Sequence, residues 1–236
     1  ALDDTEANVV ADEAVMAGYS FQIDLNTSFT GEDSLDVSID AGTAGAEGFA
    51  EFDGNSGGDT LKVDGVSYTF PLGEKATVIA GIDTDGSALF TTACSYGGPG
   101  NMLDDCANVN AGITGGGATV GASYDFGTGF TAAFGLQTTE TAVVTDESAD
   151  AYAFNAAYTG DSYGVSVTYG VVEPADANGV PTQEENTYTA LNAYYVPEGS
   201  LPSISVGYEV GDIGGAAKDV DESVSFMIGL SWDEVG

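Results

Sequence analysis

The sequence predicts an all-β protein built from antiparallel strands. From Gly18 onward, apolar and polar residues alternate along most segments, as they do when side chains point to opposite faces of a strand. The segments are short and are separated by turn sequences rich in Gly, Asp and Ser, which is typical of consecutive hairpins. Glycine supplies 34 of the 236 residues, about twice the usual share, and this density suits tight turns and small-residue strand faces.

The chain divides into an acidic start and a β-domain. Residues 1–17 show weak helical spacing at best, and we interpret them as a linker or lead-in to a domain over 18–236. The first strand has one apolar face, formed by Tyr19, Phe21, Ile23 and Leu25. A turn is predicted at 30–33, after which the alternation resumes. The apolar phase then slips at Asp64-Gly65, which predicts either a β-bulge or a tight hairpin.

Residues 83–107 form the longest irregular stretch in the pattern. Loops of this length are uncommon in compact domains and are usually functional. The stretch contains both cysteines, Cys94 and Cys106, and their closeness favours a disulfide over two unpaired thiols. A disulfide implies an oxidising compartment.

The second half of the sequence is a regular series of hairpins. Turns are predicted at 127–129 and 159–162, and an acidic loop is predicted at 173–185. The last segment, 223–232, alternates small or polar residues with Val, Phe, Ile, Leu and Trp. In all we expect about 12 or 13 strands of seven to eleven residues, with no helix.

The charge balance excludes several classes of function. The chain has 38 acidic residues against three lysines, with no Arg and no His, for a net charge of −35. No nucleic-acid partner is expected, because nothing would neutralise the phosphates. Without histidine there is no Ser-His-Asp triad and no His-ligated zinc. No pair of carboxylates is placed for glycoside hydrolysis either, so we predict a protein that is not an enzyme.

The apolar strand faces pack either on a protein core or on lipid, and the polar faces help to decide between them. Ser, Thr, Gly and Asn dominate these polar faces, most acidic residues lie in loops, and Tyr and Phe recur near strand ends. This pattern favours an antiparallel up-and-down transmembrane β-barrel. A soluble β-sandwich or surface-layer-like module is the alternative. In a barrel, five acids on the polar faces would line the pore: Asp24, Asp36, Asp40, Asp125 and Glu209.

Two acidic stretches have the alternating oxygen donors that calcium favours. Asp83 and Asp85 are weak candidate metal ligands in the first, and the second contains Asp53, Asn55 and Asp59. Neither stretch has the twelve-residue loop with a closing Glu, so solvated acidic turns are the alternative. No other cofactor is expected. Asp104 and Asp105 lie either at a pore mouth or in an acidic surface loop.

Five stretches carry a resemblance to a known family: 26–42, 61–81, 89–112, 120–137 and the tail from Pro202. They resemble the outer-membrane porins of marine cyanobacteria that carry a surface-layer-homology domain. The order strand, "TSFTG", strand, "Y-x-FPLG" recurs in that family, and the similarity covers the barrel portion only. It implies a barrel in the cell outer membrane, surrounded by lipid, that assembles as a homo-oligomer, a trimer in that family. The implied function is passive diffusion of small solutes and ions.

The chain departs from that family in two ways. It stops at "DEVG" where relatives continue into further strands, so either the barrel is incomplete, or it is completed otherwise, or the sequence belongs to a different assembly. It also lacks the arginines that porins commonly set against acids. We therefore expect a cation-preferring pore. The alternative is a secreted acidic β-rich structural protein, extracellular or on the cell surface, that forms a filament, sheath or surface layer.

Overall fold

The computed structural model describes residues 19–42, 46–47, 50–51, 58–95, 106–114, 117–138, 149–174, 184–214 and 221–232. These residues form thirteen β-strands and no helix, which confirms the all-β prediction. In the described part of the chain no helix is long and apolar enough to span a membrane. The strands are β1 (Ser20–Thr27), β2 (Ser34–Gly42), β3 (Ala46–Glu47), β4 (Ala50–Glu51), β5 (Gly58–Leu72), β6 (Ala76–Ile82), β7 (Ala118–Gly127), β8 (Phe130–Thr138), β9 (Asp150–Thr159), β10 (Tyr163–Val172), β11 (Asn186–Tyr195), β12 (Ser203–Ile213) and β13 (Glu222–Ser231).

Eleven of the strands form a single antiparallel up-and-down sheet. Each strand pairs with the next along the chain, except that β2 pairs with β5 and the two short strands β3 and β4 pair with each other. The sheet is open, with β1 and β13 at its edges. Strands on either side of a short turn are antiparallel neighbours, and this is the hairpin series that the sequence predicts.

The phase slip in the sequence corresponds to a β-bulge within β5. Ser38 pairs with Gly65 and Ile39 pairs with Val63, so Asp64 is an extra residue on one strand. A bulge inserts one residue without ending the strand, which explains why β5 continues through the Asp-Gly pair. The bulge interpretation is therefore confirmed, and the rival hairpin at this position is wrong.

The two ends of the sheet differ in the length of their connections. At one end β5–β6, β7–β8 and β9–β10 are joined by three residues or fewer, at 73–75, 128–129 and 160–162. At the other end the connections are longer, and the longest runs from 83 to 117. Because every pair in the sheet is antiparallel, the short turns all lie at one end. We call these the short-turn end and the long-connection end.

At the short-turn end the turn between β1 and β2 is built around one carboxylate. The backbone N–H groups of Phe29 and Thr30 donate to Asp33 Oδ1, over 3.0 and 2.8 Å. The hydroxyls of Ser28 and Tyr68 donate to the same carboxylate over 2.6 Å. These hydrogen bonds favour the charged form, with that from Ser28 contributing most, and hold the pKa of Asp33 well below its usual range.

The two faces of the sheet have opposite character. The outer face carries exposed large apolar side chains, among them Val120, Phe134, Phe154, Val167, Leu191, Val206 and Phe226. The inner face carries small and polar side chains, and many of these are buried, including Thr119, Asn155, Ser166, Thr168, Asn192 and Ser205. Val167 on the outer face is 40% exposed, whereas its neighbour Thr168 on the inner face is 0% exposed. A sheet that packs on a soluble core shows the reverse arrangement.

Candidate functional site

The inner face is buried because the connection between β6 and β7 folds back over it. We call residues 83–95 and 106–114 of this connection the inward loop, with an outgoing limb, 83–95, and a return limb, 106–114. The described residues between β6 and β7 contain no strand. The predicted irregular stretch, 83–107, is therefore extended by the structure to Gly117. The hydrogen bonds of the loop to the sheet run from β7 to β13.

The outgoing limb passes over several strands and bonds to a row of polar side chains. Its Thr91, Ala93 and Ser95 N–H groups donate to Asn155 Oδ1, Ser166 Oγ and Ser205 Oγ, over 3.0, 2.9 and 2.8 Å. These three acceptors lie on β9, β10 and β12. Buried backbone N–H groups need partners, and here side chains of the sheet supply the bonds that a neighbouring strand normally makes. The polar row therefore fixes the path of the outgoing limb.

The return limb is held by side chains of β11 and β13. Asn192 Nδ2 donates to the Cys106 carbonyl over 2.6 Å. Ser225 Oγ donates to the Ala107 carbonyl over 2.9 Å. Buried carbonyls need hydrogen-bond donors, so these contacts locate the start of the limb.

Glu209 on β12 holds the middle of the return limb. Its carboxylate accepts hydrogen bonds from the Asn110 N–H at 2.9 Å, the Asn110 side-chain amide at 2.8 Å and the Ala111 N–H at 2.8 Å. The side chain is 1% exposed. The loop and the sheet are thus joined at this point by a charged acceptor with three donors.

Glycines on the inner face let the loop approach the sheet closely. A Cβ on Gly135 would overlap the Gly86 carbonyl, and a Cβ on Gly207 would overlap the Cys106 carbonyl. On β10, a Cβ on Gly170 would lie 2.9 Å from the Ala111 carbonyl oxygen. Because real Cβ atoms do not approach carbonyl groups so closely, any larger residue at these positions would displace the loop.

A disulfide joins the two limbs, as the sequence predicts. Cys94 lies on the outgoing limb and Cys106 on the return limb, with their Cα atoms 6.4 Å apart. Cys106 is fully buried and packs with Ala107 and Met227. Asp104 and Asp105, expected at a pore mouth or in a surface loop, lie outside the described residues.

The base of the inward loop is closed by Asp83. Its N–H donates to the Gly117 carbonyl over 2.8 Å, and Gly117 N–H donates back to Asp83 Oδ1 over 2.7 Å.

The second residue of the first calcium candidate, Asp85, is exposed to solvent on one side. The protein around its carboxyl desolvates that group and raises its pKa. Within the described residues no group of three or more metal-ligating side chains is present. Of the second calcium candidate, Asp53 and Asn55 lie outside those residues. The metal assignments stay predictions.

The five predicted pore-lining acids all fall on the inner alternation of their strands, but their surroundings differ. Asp24 and Asp36 lie on β1 and β2, where Ser38 and Asn26 donate to them. Asp40 is 3% exposed and pairs in register with Lys62. Asp125 lies at the short-turn end, where it accepts from Gly127 N–H over 2.7 Å. Glu209 lies under the inward loop.

No protein-family model matches the chain, and comparison with curated proteins gives no significant match.

The inner-face side chains that hold the two limbs were not predicted from the sequence. Asn155 and Asn192 are single amides within strands of Ala and aromatic residues, "AYAFNAAY" and "TALNAYY". An isolated Asn at an inner position is unfavourable in a strand unless it has a bonding partner. These two asparagines were the available signal that something covers the inner face.

Proposed function

We propose that the chain forms a transmembrane β-barrel of a cell outer membrane that acts as a porin, with passive diffusion of cations and small solutes. The observation that carries this proposal is the inverted amphipathicity of the sheet. Its outer face is apolar and exposed, and its polar inner face is buried under its own loop. Monomeric soluble proteins rarely expose apolar patches beyond a few hundred Å². If lipid surrounds the sheet, the apolar side chains of the outer face contact lipid and not water.

The height of the apolar face suits an outer membrane. On β13 and the residue just after it, the outward side chains from Val224 to Trp232 are all apolar and exposed. These nine residues extend about 26 Å along the strand at roughly 3.3 Å per residue. The apolar band of outer-membrane barrels is about 25 Å tall. On β12 and β13 the outward apolar run ends at Asp212 and Glu222, which pair at the long-connection end.

The short-turn end carries an aromatic belt. The ring of Tyr158 lies 4.8 Å from that of Phe130 and 5.5 Å from that of Tyr163. Tyr124 and Phe126 form another pair there, at 4.8 Å. Aromatic girdles mark the membrane interfaces of such barrels, which also have short turns at one end and long loops at the other. Both features support the membrane assignment.

The inward loop and the inner acids support the pore assignment. A loop across the inner face would narrow the lumen of a closed barrel. Asp24 and Asp36 lie on β1 and β2, whereas the described hydrogen bonds of the inward loop go to strands β7 to β13, and rings of carboxylates favour cations. The resemblance to cyanobacterial porins agrees with this proposal. Closure of the sheet and assembly as a homo-oligomer, a trimer in that family, are parts of it.

The test is the reversal potential of the reconstituted protein in a potassium chloride gradient across a planar bilayer. We expect a potential of the sign given by potassium preference. Replacing Asp24→Asn and Asp36→Asn together should reduce that preference, because two carboxylates of the inner face are lost. Chloride preference would contradict the role of these acids. A protein without conductance that forms ordered polymers in detergent-free buffer would favour the secreted structural alternative.

A further inference from the structure

We propose that Glu209 is a positioning residue that sets the width of the pore by holding the return limb against β12. This inference rests on the proposed function. It changes the role of one predicted pore-lining acid, from selecting ions to placing the loop that narrows their path.

The first reason is the burial of its charge. A carboxylate that is 1% exposed is costly unless hydrogen bonds satisfy it. In the described part of the chain the lysines lie on other elements, Lys62 in β5 and Lys75 in the turn between β5 and β6. The donors that bond Glu209 come from Asn110 and Ala111 instead. The buried carboxylate therefore depends on the return limb for its hydrogen-bond donors.

The second reason is the position of Glu209 on β12. Along the inner side of this strand Ser205 bonds the outgoing limb, Gly207 lies under Cys106, and Glu209 bonds the return limb. Both limbs and one half of the disulfide thus converge on β12. The contact through Glu209 is the charged one among these three, and charge-assisted hydrogen bonds are roughly twice as strong as neutral ones. Its removal should loosen the return limb more than the loss of any single neutral bond.

The third reason is that Glu209 is not placed to select ions. Both carboxylate oxygens accept hydrogen bonds from the loop, and the loop covers the side chain. Asp24 on β1 is exposed instead, and Asp36 beside it on β2 is half-buried. A permeating cation meets the carboxylates that solvent reaches, so we assign selectivity to acids such as these two.

The test compares three variants of the reconstituted protein in planar bilayers: Glu209→Ala, Glu209→Gln and Asp36→Asn. Single-channel conductance and the size limit for neutral sugars report pore width, and the reversal potential reports selectivity. For Glu209→Ala we expect roughly a twofold rise in conductance and passage of larger sugars, with the reversal potential retained. Glu209→Gln keeps an acceptor oxygen, so its conductance and size limit should be closer to those of the wild type. Asp36→Asn, the matched charge control, should lower cation preference without changing the size limit.

The outcomes separate the two proposals. A wild-type protein without channel activity overturns the proposed function itself. A conducting wild type with an unchanged size limit in Glu209→Ala overturns only the positioning role. A loss of cation preference in Glu209→Ala as large as that in Asp36→Asn also overturns it, because Glu209 would then be a selectivity residue. If Glu209→Ala does not fold, Asn110→Ala removes one donor from the same limb, and an unchanged size limit there would equally contradict the inference.

Discussion

A lysine placed in the middle of the outer face would show whether that face contacts lipid or water. Val167 on β10 is 40% exposed and lies between Ala156 and Leu191 of the neighbouring strands. It is four residues from both Tyr163 and Val171, about 13 Å along the strand in each direction. A lysine at the bilayer midplane destabilises a barrel by roughly 2–4 kcal/mol, and by about 0–1 kcal/mol near the interfaces. We therefore expect Val167→Lys to lower the folding equilibrium constant by about 30- to 700-fold.

The matched control is Thr187→Lys. Thr187 lies on the outer face of β11, where it pairs with Val171 and Asp212 at the long-connection end. The Thr187→Lys substitution should lower the free energy of unfolding by about 1 kcal/mol or less. The measurement is guanidinium unfolding of the protein in phospholipid vesicles. The folded fraction is read from the gel mobility of unheated samples. If Val167→Lys and Thr187→Lys both change the free energy of unfolding by less than about 0.5 kcal/mol, as exposed substitutions in water do, the lipid assignment is refuted.

Two further predictions concern the inward loop and the first turn. Replacing Cys94→Ser and Cys106→Ser together should lower the free energy of unfolding by up to about 3 kcal/mol, since the disulfide closes a short loop; unchanged denaturant unfolding would contradict this. Asp33→Asn should destabilise the protein at neutral pH. The folded pKa of Asp33 lies below the unfolded value of about 3.9, so its stabilisation is present above that pH and disappears as pH falls further. Unfolding curves of wild type and Asp33→Asn should therefore converge in acid, and a constant difference would count against the turn network.

The strands were predictable because their signal is local. Alternation with period two depends only on the neighbours of each residue, and it located the hairpins from 118 to 232 closely. The bulge in β5 left a mark of the same kind, since one extra residue reverses the phase of the pattern. Cys94 and Cys106 gave the disulfide because few residues separate them. In each case the signal lies within a short stretch of sequence.

The path of the inward loop was not predictable, because its causes are distant in sequence. Thr91 bonds a residue 64 positions away, and Ser95 bonds one 110 positions away. No pattern within residues 83–117 shows that these bonds exist. The same limit applies to Glu209: its inner position follows from alternation, but its burial follows from a loop almost a hundred residues earlier.

The glycine content of the chain has a second cause that becomes clear only from the structure. From the sequence, the excess is expected in turns and on small-residue faces, and Gly127 and Gly129, with φ of +81° and +87°, do serve a turn. Gly135, Gly170 and Gly207 do not, since they lie in strands, where glycine is normally unfavourable. Each lies directly under a carbonyl of the inward loop. The sheet accepts weaker strand formers at these positions because a side chain there would push the loop away from the inner face. Glycine in strands opposite isolated Asn and Ser is therefore a pattern by which an inward-folded loop can be sought in other sequences of this kind.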